Sequence, residues 1–292
     1  MAETINKNIR CVRAPNPSPM TFSGTNTYLL GQNEIAVIDP GPLNIEHLEA
    51  IFQAVGPTSL ITKILITHSH LDHSPLARLL SEKTNAPIFA FGDSFSGRSS
   101  TMIQLAHSGS IGGGEGVDLE FQPDICLEDG GIILHEGETI TAVWTPGHFG
   151  NHLSFGTGET LFSGDHIMGW ASSMVSPPDG DLKAFRQSCQ KLLERPEVFY
   201  VPGHGDPIFD GPERVRWLLT HRNERENQII NSLRKKPGSA ADLAERIYTD
   251  VDQALVPAAT RNVMAHLIDL TERQIITPKG QVELSTKYSL IL

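Results

Sequence analysis

Residues 67–73 read Thr-His-Ser-His-Leu-Asp-His and place three histidines and one aspartate within six positions. They directly follow a continuous β-branched and apolar run, which is typical of a strand buried on both faces. Alternate side chains of an extended segment point the same way, so His68 and His70 can face one point. The chain must then turn, which lets Asp72 and His73 face a neighbouring point. Imidazole and carboxylate ligands without a thiolate suit Zn²⁺, Fe or Mn²⁺, so the segment predicts a metal site.

Three later segments repeat one pattern, in which an apolar strand is followed by a glycine-containing break and then by a metal-binding residue type. These residues are His148, Asp165 and His204, each preceded by a glycine. Strand ends in layered α/β folds gather along one sheet edge, where sites are commonly built. Glycine permits the tight turns that direct each side chain inward. The four groups together therefore predict one shared site.

The order of these groups resembles the metallo-β-lactamase superfamily, whose signature is HxHxDH followed downstream by a histidine, an aspartate and a final histidine. The resemblance covers roughly residues 20–210 and matches all seven ligand positions. It implies two divalent metal ions, with Zn²⁺ as the expected metal and Fe or Mn as the alternatives. It also implies a four-layer αβ/βα sandwich of the α/β class. By this likeness one ion is held by His68, His70 and His148, a second by Asp72, His73 and His204, and both are bridged by Asp165.

The implied chemistry is hydrolysis of an ester-type or phosphodiester bond. Two cations about 3.5–4 Å apart can share a water molecule and convert it to a bridging hydroxide near neutral pH. The hydroxide attacks a carbonyl carbon or a phosphorus atom, and the metals stabilise the developing oxyanion. Asp72 is expected to be catalytic as well as a ligand, because it can orient or shuttle the proton.

The elements that must position these residues are strands that end at the site and helices that cover them. Hydrophobic periodicity predicts where they lie. Residues 92–131 are glycine-rich and are predicted to be irregular, as either a surface loop or a lid over the site. The predicted strands lie at 27–30, 35–38, 61–66, 88–91, 132–134, 139–145, 152–156, 160–163 and 198–201, and the predicted helices at 44–55, 75–82 and 181–193.

The chain divides into three predicted parts: a catalytic domain at 1–211, a connecting helix at 212–236 and a winged-helix-like domain at 237–292. Within the last part, Ser239 is the expected N-cap of a short helix at 239–247. A second helix follows at 257–273, and a β-hairpin is expected to pair 275–277 with 282–284. Helix, helix and hairpin in about sixty residues are typical of a winged helix.

Composition narrows the class of protein. The 292 residues carry a net charge of −11: residues 1–212, with 11 Lys/Arg and 24 Asp/Glu, carry −13, and residues 213–292 carry +2. This weighs against a strongly basic nucleic-acid groove. Three scattered cysteines argue against a disulfide framework and a thiolate metal site. No apolar run is long enough to span a bilayer, and the N-terminus lacks an apolar signal core, so a cytoplasmic protein without membrane contact is expected.

The substrate is the least determined feature. The Asn26-Thr27-Tyr28-Leu29 start, the Pro202-Gly203-His204-Gly205 segment and the C-terminal module resemble the lactamase-beta-like hydrolase group, some of whose members cleave single-stranded RNA. A glyoxalase II-like thioester hydrolase, a lactonase and a non-catalytic metal-binding module are the alternatives. The expected partners are thus a small-molecule ester, thioester or lactone, or single-stranded RNA. The C-terminal module could also serve packing or formation of a homodimer.

Overall fold

Two β-sheets lie face to face in a computed structural model that describes residues 2–249, 252 and 255–291. The first sheet has seven strands in the order β1-β2-β3-β4-β5-β6-β7, and the second has five in the order β12-β11-β10-β9-β8. The first sheet comprises β1 Glu3–Asn6, β2 Ile9–Arg13, β3 Asn26–Leu30, β4 Glu34–Ile38, β5 Leu60–Leu65, β6 Ile88–Ala90 and β7 Ile125–Cys126. The second comprises β8 Ile132–His135, β9 Glu138–Trp144, β10 Leu153–Thr157, β11 Thr160–Gly164 and β12 Phe199–Pro202.

Helices cover the outer faces of both sheets and build the C-terminal module. A short third sheet pairs β13 Ile276–Pro278 with β14 Tyr288–Leu290. None of the helices in the described part of the chain is long and apolar enough to cross a membrane. The helices are α1 Ile45–Val55, α2 Leu76–Thr84, α3 Ser100–Ser108, α4 Leu182–Leu193, α5 Gly211–Lys235, α6 Ala240–Ile247 and α7 Val256–Glu272.

Three hydrophobic clusters separate four layers. Consecutive residues of β5 point to opposite sheet faces, so Ile64 packs in the cluster beneath α1 and α2, whereas Leu65 packs in the cluster between the sheets. The second sheet meets α4 and α5 through a further cluster that includes Phe185 and Val215. The order helix, sheet, sheet, helix confirms the predicted four-layer sandwich.

Parallel strand pairing explains how distant residues come together. β4 runs parallel to β5 and β11 runs parallel to β12, so the carboxyl ends of each pair reach the same edge. Asp39 and Thr67 therefore follow neighbouring strands in the first sheet. In the second, Asp165 and His204 follow neighbouring strands. The predicted strands at these ends are all present, within two residues of their expected limits.

The segment 92–131 is not irregular throughout, and that prediction was wrong. It contains α3, which begins where the Ser99 side chain accepts a hydrogen bond from the Met102 amide, and it also contains β7. Main-chain hydrogen bonds from Leu71 to Gly116 at 2.8 Å and from Asp118 to Ser69 at 2.9 Å fasten it beside the HxHxDH segment.

The C-terminal module has the predicted winged-helix elements with one change of pairing. Ser239 caps α6 in a reciprocal capping box with Asp242, as expected. The second hairpin strand is β14, not 282–284. Tyr288 is fully buried in the cluster formed with α5, α6 and α7, whereas Leu284 is 42% exposed, so burial favours the later strand. The first two strands, β1 and β2, were not predicted.

Candidate metal centre

The first group of converging side chains joins the two sheets. His68 and His70 follow β5, and His148 lies in the turn after β9. Nε2 of His68 lies 2.9 Å from Nδ1 of His70, which in turn lies 3.1 Å from Nε2 of His148. Because Nδ1 of His68 and Nδ1 of His148 carry the ring protons, as their hydrogen-bond partners require, at most one proton, on Nδ1 of His70, can lie between these three nitrogens. Most of their lone pairs therefore face one another, which is the arrangement that a cation stabilises.

A second group lies beside the first. Nε2 of His204 is 3.1 Å from Oδ2 of Asp72 and 3.4 Å from Nε2 of His73. Nε2 of His73 is 3.4 Å from the same Asp72 oxygen. The three ligand atoms belong to segments of different sheets, since His204 follows β12 and the other two follow β5.

Asp165 lies between the two groups. Its Oδ2 is 3.8 Å from Nε2 of His148 and 3.3 Å from Nε2 of His204, and its Oδ1 is 3.6 Å from Nε2 of His73. The structure thus brings all seven residues predicted from the sequence into one cluster. A carboxylate between two nitrogen-rich groups is placed where a bridging ligand would be needed.

A buried aspartate orients the histidines after β5. Asp39 accepts hydrogen bonds from Nδ1 of His73 at 2.9 Å and from the Thr67 hydroxyl at 2.6 Å. Because that hydroxyl donates to Asp39, its remaining capacity is to accept from Nδ1 of His68, 3.0 Å away. Both imidazoles therefore carry a proton on Nδ1 and turn Nε2 toward the centre.

Main-chain carbonyls orient His148 and His204 in the same way. Nδ1 of His148 donates to the carbonyl of Met174 at 2.7 Å, and Nδ1 of His204 donates to the carbonyl of Gly24 at 3.2 Å. An acceptor at Nδ1 fixes the ring and its tautomer, which leaves Nε2 for a cation.

The two groups differ in electrostatic character. Burial, and then the neighbouring His148, lowers the pKa of His70 to about 3, which favours a neutral ring. Burial also opposes charge on His204, but the carboxylates of Asp165 and Asp72 outweigh it and raise its pKa to about 9. For Asp165, burial is outweighed by His204 and His73, and its pKa lies well below the ordinary range. The second group thus favours positive charge at its centre.

The residues present fit a pair of divalent cations. Oδ1 of Asp165 is buried and accepts no hydrogen bond from any described residue, so it retains a full lone pair for a ligand bond. A Cβ on Gly203 would lie 2.4 Å from that oxygen and 2.7 Å from Cε1 of His73, so only glycine leaves space here. Nitrogen and oxygen donors without sulfur suit Zn²⁺, Fe and Mn²⁺.

Of two further histidines near the cluster, only His152 supports it from behind. Nε2 of His152, which is fully buried, accepts a hydrogen bond from the main-chain amide of Asp165 at 3.2 Å, while its Nδ1 contacts the Thr145 hydroxyl at 2.9 Å. His166 points away from the cluster, into contact with Cys189 and Phe185. Sequence reasoning had not identified Asp39, although it follows β4 in the same strand-end pattern as the ligands.

Comparison with known proteins agrees with this geometry. A model of the metallo-beta-lactamase superfamily matches residues 20–204, and a model of the beta-lactamase associated winged helix domain matches residues 239–283. A Drosophila melanogaster protein named beta-lactamase-like protein 2 homolog is 32% identical over 280 residues, covering 87% of this chain and 85% of that relative.

A second relative and a solved structure extend the comparison. An atrochrysone carboxyl ACP thioesterase from Claviceps purpurea (strain 20.1) is 28% identical, covering 84% of this chain and 74% of the relative. A metallo-beta-lactamase family protein from Thermus thermophilus superimposes with a TM-score of 0.79 over 99% of this chain and 100% of that chain, at 23% identity. At this identity the likeness concerns the fold.

Proposed function

The chain belongs to the metallo-beta-lactamase superfamily, and from that premise we propose that it is a binuclear metal-dependent hydrolase of small acyl thioesters or esters. The observation that carries the proposal is the position of Asp165, with one oxygen toward His73 and the other toward His148 and His204. A buried carboxylate shared by two donor groups serves two cations better than one. The catalytic domain is proposed to span 1–211 and the winged helix 237–292.

Each residue has a proposed role at this centre. His68, His70 and His148 would hold one ion, Asp72, His73 and His204 the other, and Asp165 both. Zn²⁺ is the proposed metal, and the ions would supply Lewis acidity that lowers the pKa of water and polarises the scissile carbonyl. The Oδ2 atom of Asp72 also accepts from the Thr25 hydroxyl at 3.3 Å, so this carboxylate is held in place to accept or return a proton.

Acyl substrates are favoured over phosphodiesters by charge. Two arginines on segments that border the centre are already paired: Arg98 with Asp179 at 2.6 Å, and Arg261 with Ser176 at 2.8 Å and with two main-chain carbonyls. Phosphate backbones are bound chiefly through lysine and arginine. The name of the Claviceps relative, a thioesterase, supports the same substrate class.

The test is metal analysis combined with a substrate panel. The full chain, purified without chelators and reconstituted with Zn²⁺, is expected to hold about two ions and to hydrolyse acyl thioesters faster than bis-aryl phosphodiesters or single-stranded RNA. Activity should disappear in Asp165→Asn and persist in Asp206→Asn, an exposed aspartate in the turn after β12. Fewer than about one ion per chain would refute the binuclear centre. RNA cleavage that depends on Asp165, without thioester turnover, would refute the acyl assignment.

A further inference from the structure

An aromatic residue near the metal centre has an unfavourable backbone conformation. Phe22 has φ of +55°, in the left-handed region that bulky side chains rarely adopt. Such strain persists only where surrounding structure determines it, and it is concentrated at functional sites. Phe22 is also 50% exposed, so its conformation is not explained by burial of the ring in a core.

Hydrogen bonds within the loop between β2 and β3 hold this conformation. The Ser18 hydroxyl accepts from the amides of Met20 and Thr21, both at 3.1 Å. The Thr21 hydroxyl donates to the carbonyl of Asn16 at 2.6 Å, and the Gly24 amide donates to the carbonyl of Thr21 at 2.9 Å. The loop is therefore built to display Phe22.

The ring of Phe22 stacks on the indole of Trp170, with centroids 5.0 Å apart and an angle of 21° between the rings. Trp170 remains 36% exposed, and the neighbouring Met20 is 47% exposed. We call the stacked pair, Phe22 and Trp170, the aromatic platform. Two segments distant in sequence thus keep a shared apolar ring surface in contact with solvent, where it is available to a ligand.

The aromatic platform adjoins the second group of metal ligands. The loop that carries Phe22 accepts a hydrogen bond from His204 at the carbonyl of Gly24. Trp170 lies against the next residue, since a Cβ on Gly205 would be 2.7 Å from its Cδ1. The Asp72 side chain, which contacts the same loop through Thr25, is 26% exposed, whereas that of Asp165 is 9% exposed. The centre is thus more open on the side where the aromatic platform lies.

We propose that the aromatic platform binds the acyl portion of the substrate and selects aromatic or long aliphatic acyl groups over short ones. The proposal rests on the hydrolase function proposed above. Two uncharged ring faces offer dispersion and stacking contacts but no partner for an anionic group. An acyl group placed on them would extend from a scissile carbonyl at the metal centre, beside Asp72 and His204.

The experiment compares substrates that differ only in the acyl group. Acetyl, octanoyl and 2-naphthoyl thioesters of N-acetylcysteamine are hydrolysed by the zinc-loaded full chain and by Phe22→Asn and Trp170→Ala. Asparagine tolerates positive φ, so Phe22→Asn removes the ring and retains the loop. KM for the octanoyl and naphthoyl substrates should rise about tenfold, while kcat and acetyl hydrolysis stay within about twofold. Zinc content should not change.

Phe209→Ala is the matched control. Phe209 is 85% exposed and packs on Phe199, at the start of β12 rather than at the loop that carries Phe22. It should behave as the wild type. Equal losses on acetyl and naphthoyl substrates, or equal losses in Phe209→Ala, would overturn the proposal.

Two further measurements distinguish failure of the aromatic-platform proposal from failure of the hydrolase proposal. If the wild type cleaves no thioester, the hydrolase proposal fails, and calorimetry with 2-naphthoate and acetate then tests the aromatic platform alone. Naphthoate binding that Phe22→Asn abolishes would support it, and absence of naphthoate binding would overturn it. If both variants cleave single-stranded RNA more slowly while their KM for thioesters is unchanged, the acyl proposal is overturned and the aromatic platform instead stacks on nucleic-acid bases.

Discussion

Nδ1 of His148 donates to the main-chain carbonyl of Met174, and the two atoms are 2.7 Å apart. Met174 belongs to a loop that the C-terminal part of the chain holds in place. The Asn262 side chain of α7 accepts from the amide of Val175 at 3.1 Å and from Arg222 of α5 at 3.0 Å. The orientation of a proposed metal ligand therefore depends on α5 and α7, which follow the residues that the metallo-beta-lactamase superfamily model matches.

Asn262→Ala should weaken zinc binding about tenfold, because the loop that carries the His148 acceptor loses its anchor. The Val175 amide and the buried Arg222 also lose an acceptor, so the free energy of unfolding should fall by about 1–3 kcal/mol. Competition titration with a chromogenic chelator and urea unfolding measure the two effects. Asn231→Ala, an exposed residue of α5, is the control. A loss of stability with unchanged zinc affinity would contradict the link to His148.

Asp39→Asn should weaken zinc binding about 10–100-fold, the range for partners that orient a ligand. The Asp39 carboxylate receives three donors: the amide and hydroxyl of Thr67, and Nδ1 of His73. An asparagine must turn its own NH₂ group toward at least one of these donors, and an NH₂ group cannot accept a hydrogen bond. Asp118→Asn is the matched control, because its carboxylate accepts from the Ser74 hydroxyl, which can rotate to accept instead. Equal zinc affinity in both variants would show that Asp39 is not needed to orient His73.

The seven candidate ligands were predictable because each is a characteristic residue type placed after a strand. Their orienting partners were not. His148 relies on a carbonyl 26 positions away, and His204 relies on a carbonyl 180 positions away. Every residue has a main-chain carbonyl, so residue type cannot identify the one that receives a given histidine. Only the tertiary structure specifies those contacts.

Three of the elements that sequence reasoning missed, α3, β1 and β7, have little burial, whereas the missed strand β2 is mostly buried. In α3, Met102 is the one buried residue, and with Leu105 and Ala106 it forms only a short apolar stripe within a glycine-rich segment. The core strand β5, in contrast, is apolar or β-branched at every position except Lys63 and was found within one residue of its limits. The pairing of β13 with β14 depends on Tyr288 reaching the core after a longer connection than the hairpin pattern suggests.

Asp165→Asn should lower the zinc content from about two ions per chain to one or fewer. The substitution retains the shape of the side chain but removes the charge that His73 and His204 face. Mass spectrometry of metals after dialysis gives the stoichiometry. Asp206→Asn, in the same region but exposed, should retain the wild-type content. Retention of both ions in Asp165→Asn would show that this carboxylate does not bridge them.

His47 provides a test of pH dependence outside the ligand set. The ring is 1% exposed, and its Nε2 donates to the Thr27 hydroxyl at 2.8 Å, because that hydroxyl itself donates to the carbonyl of Asp39 at 2.7 Å. Its Nδ1 is buried without a hydrogen-bond partner among the described residues. A proton added there would be buried, and burial, which outweighs the opposing effect of the Pro40 main chain, lowers the pKa of His47 from 6.5 to about 4.

A lowered pKa means that the fold favours the neutral ring. The contribution of His47 to stability is complete above the unfolded-state pKa of 6.5 and is lost as the pH falls toward about 4. Between pH 7 and pH 5 this loss is about 2 kcal/mol. His47→Gln retains a donor toward Thr27 but cannot be protonated. Between pH 7 and pH 5, the free energy of unfolding of chelator-treated His47→Gln, measured with urea, should therefore fall by about 2 kcal/mol less than that of the wild type. His107→Gln, at an exposed position of α3, is the control and should show the wild-type pH dependence of the free energy of unfolding. If His47→Gln also shows the wild-type pH dependence, protonation of His47 does not destabilise the fold and the prediction is wrong.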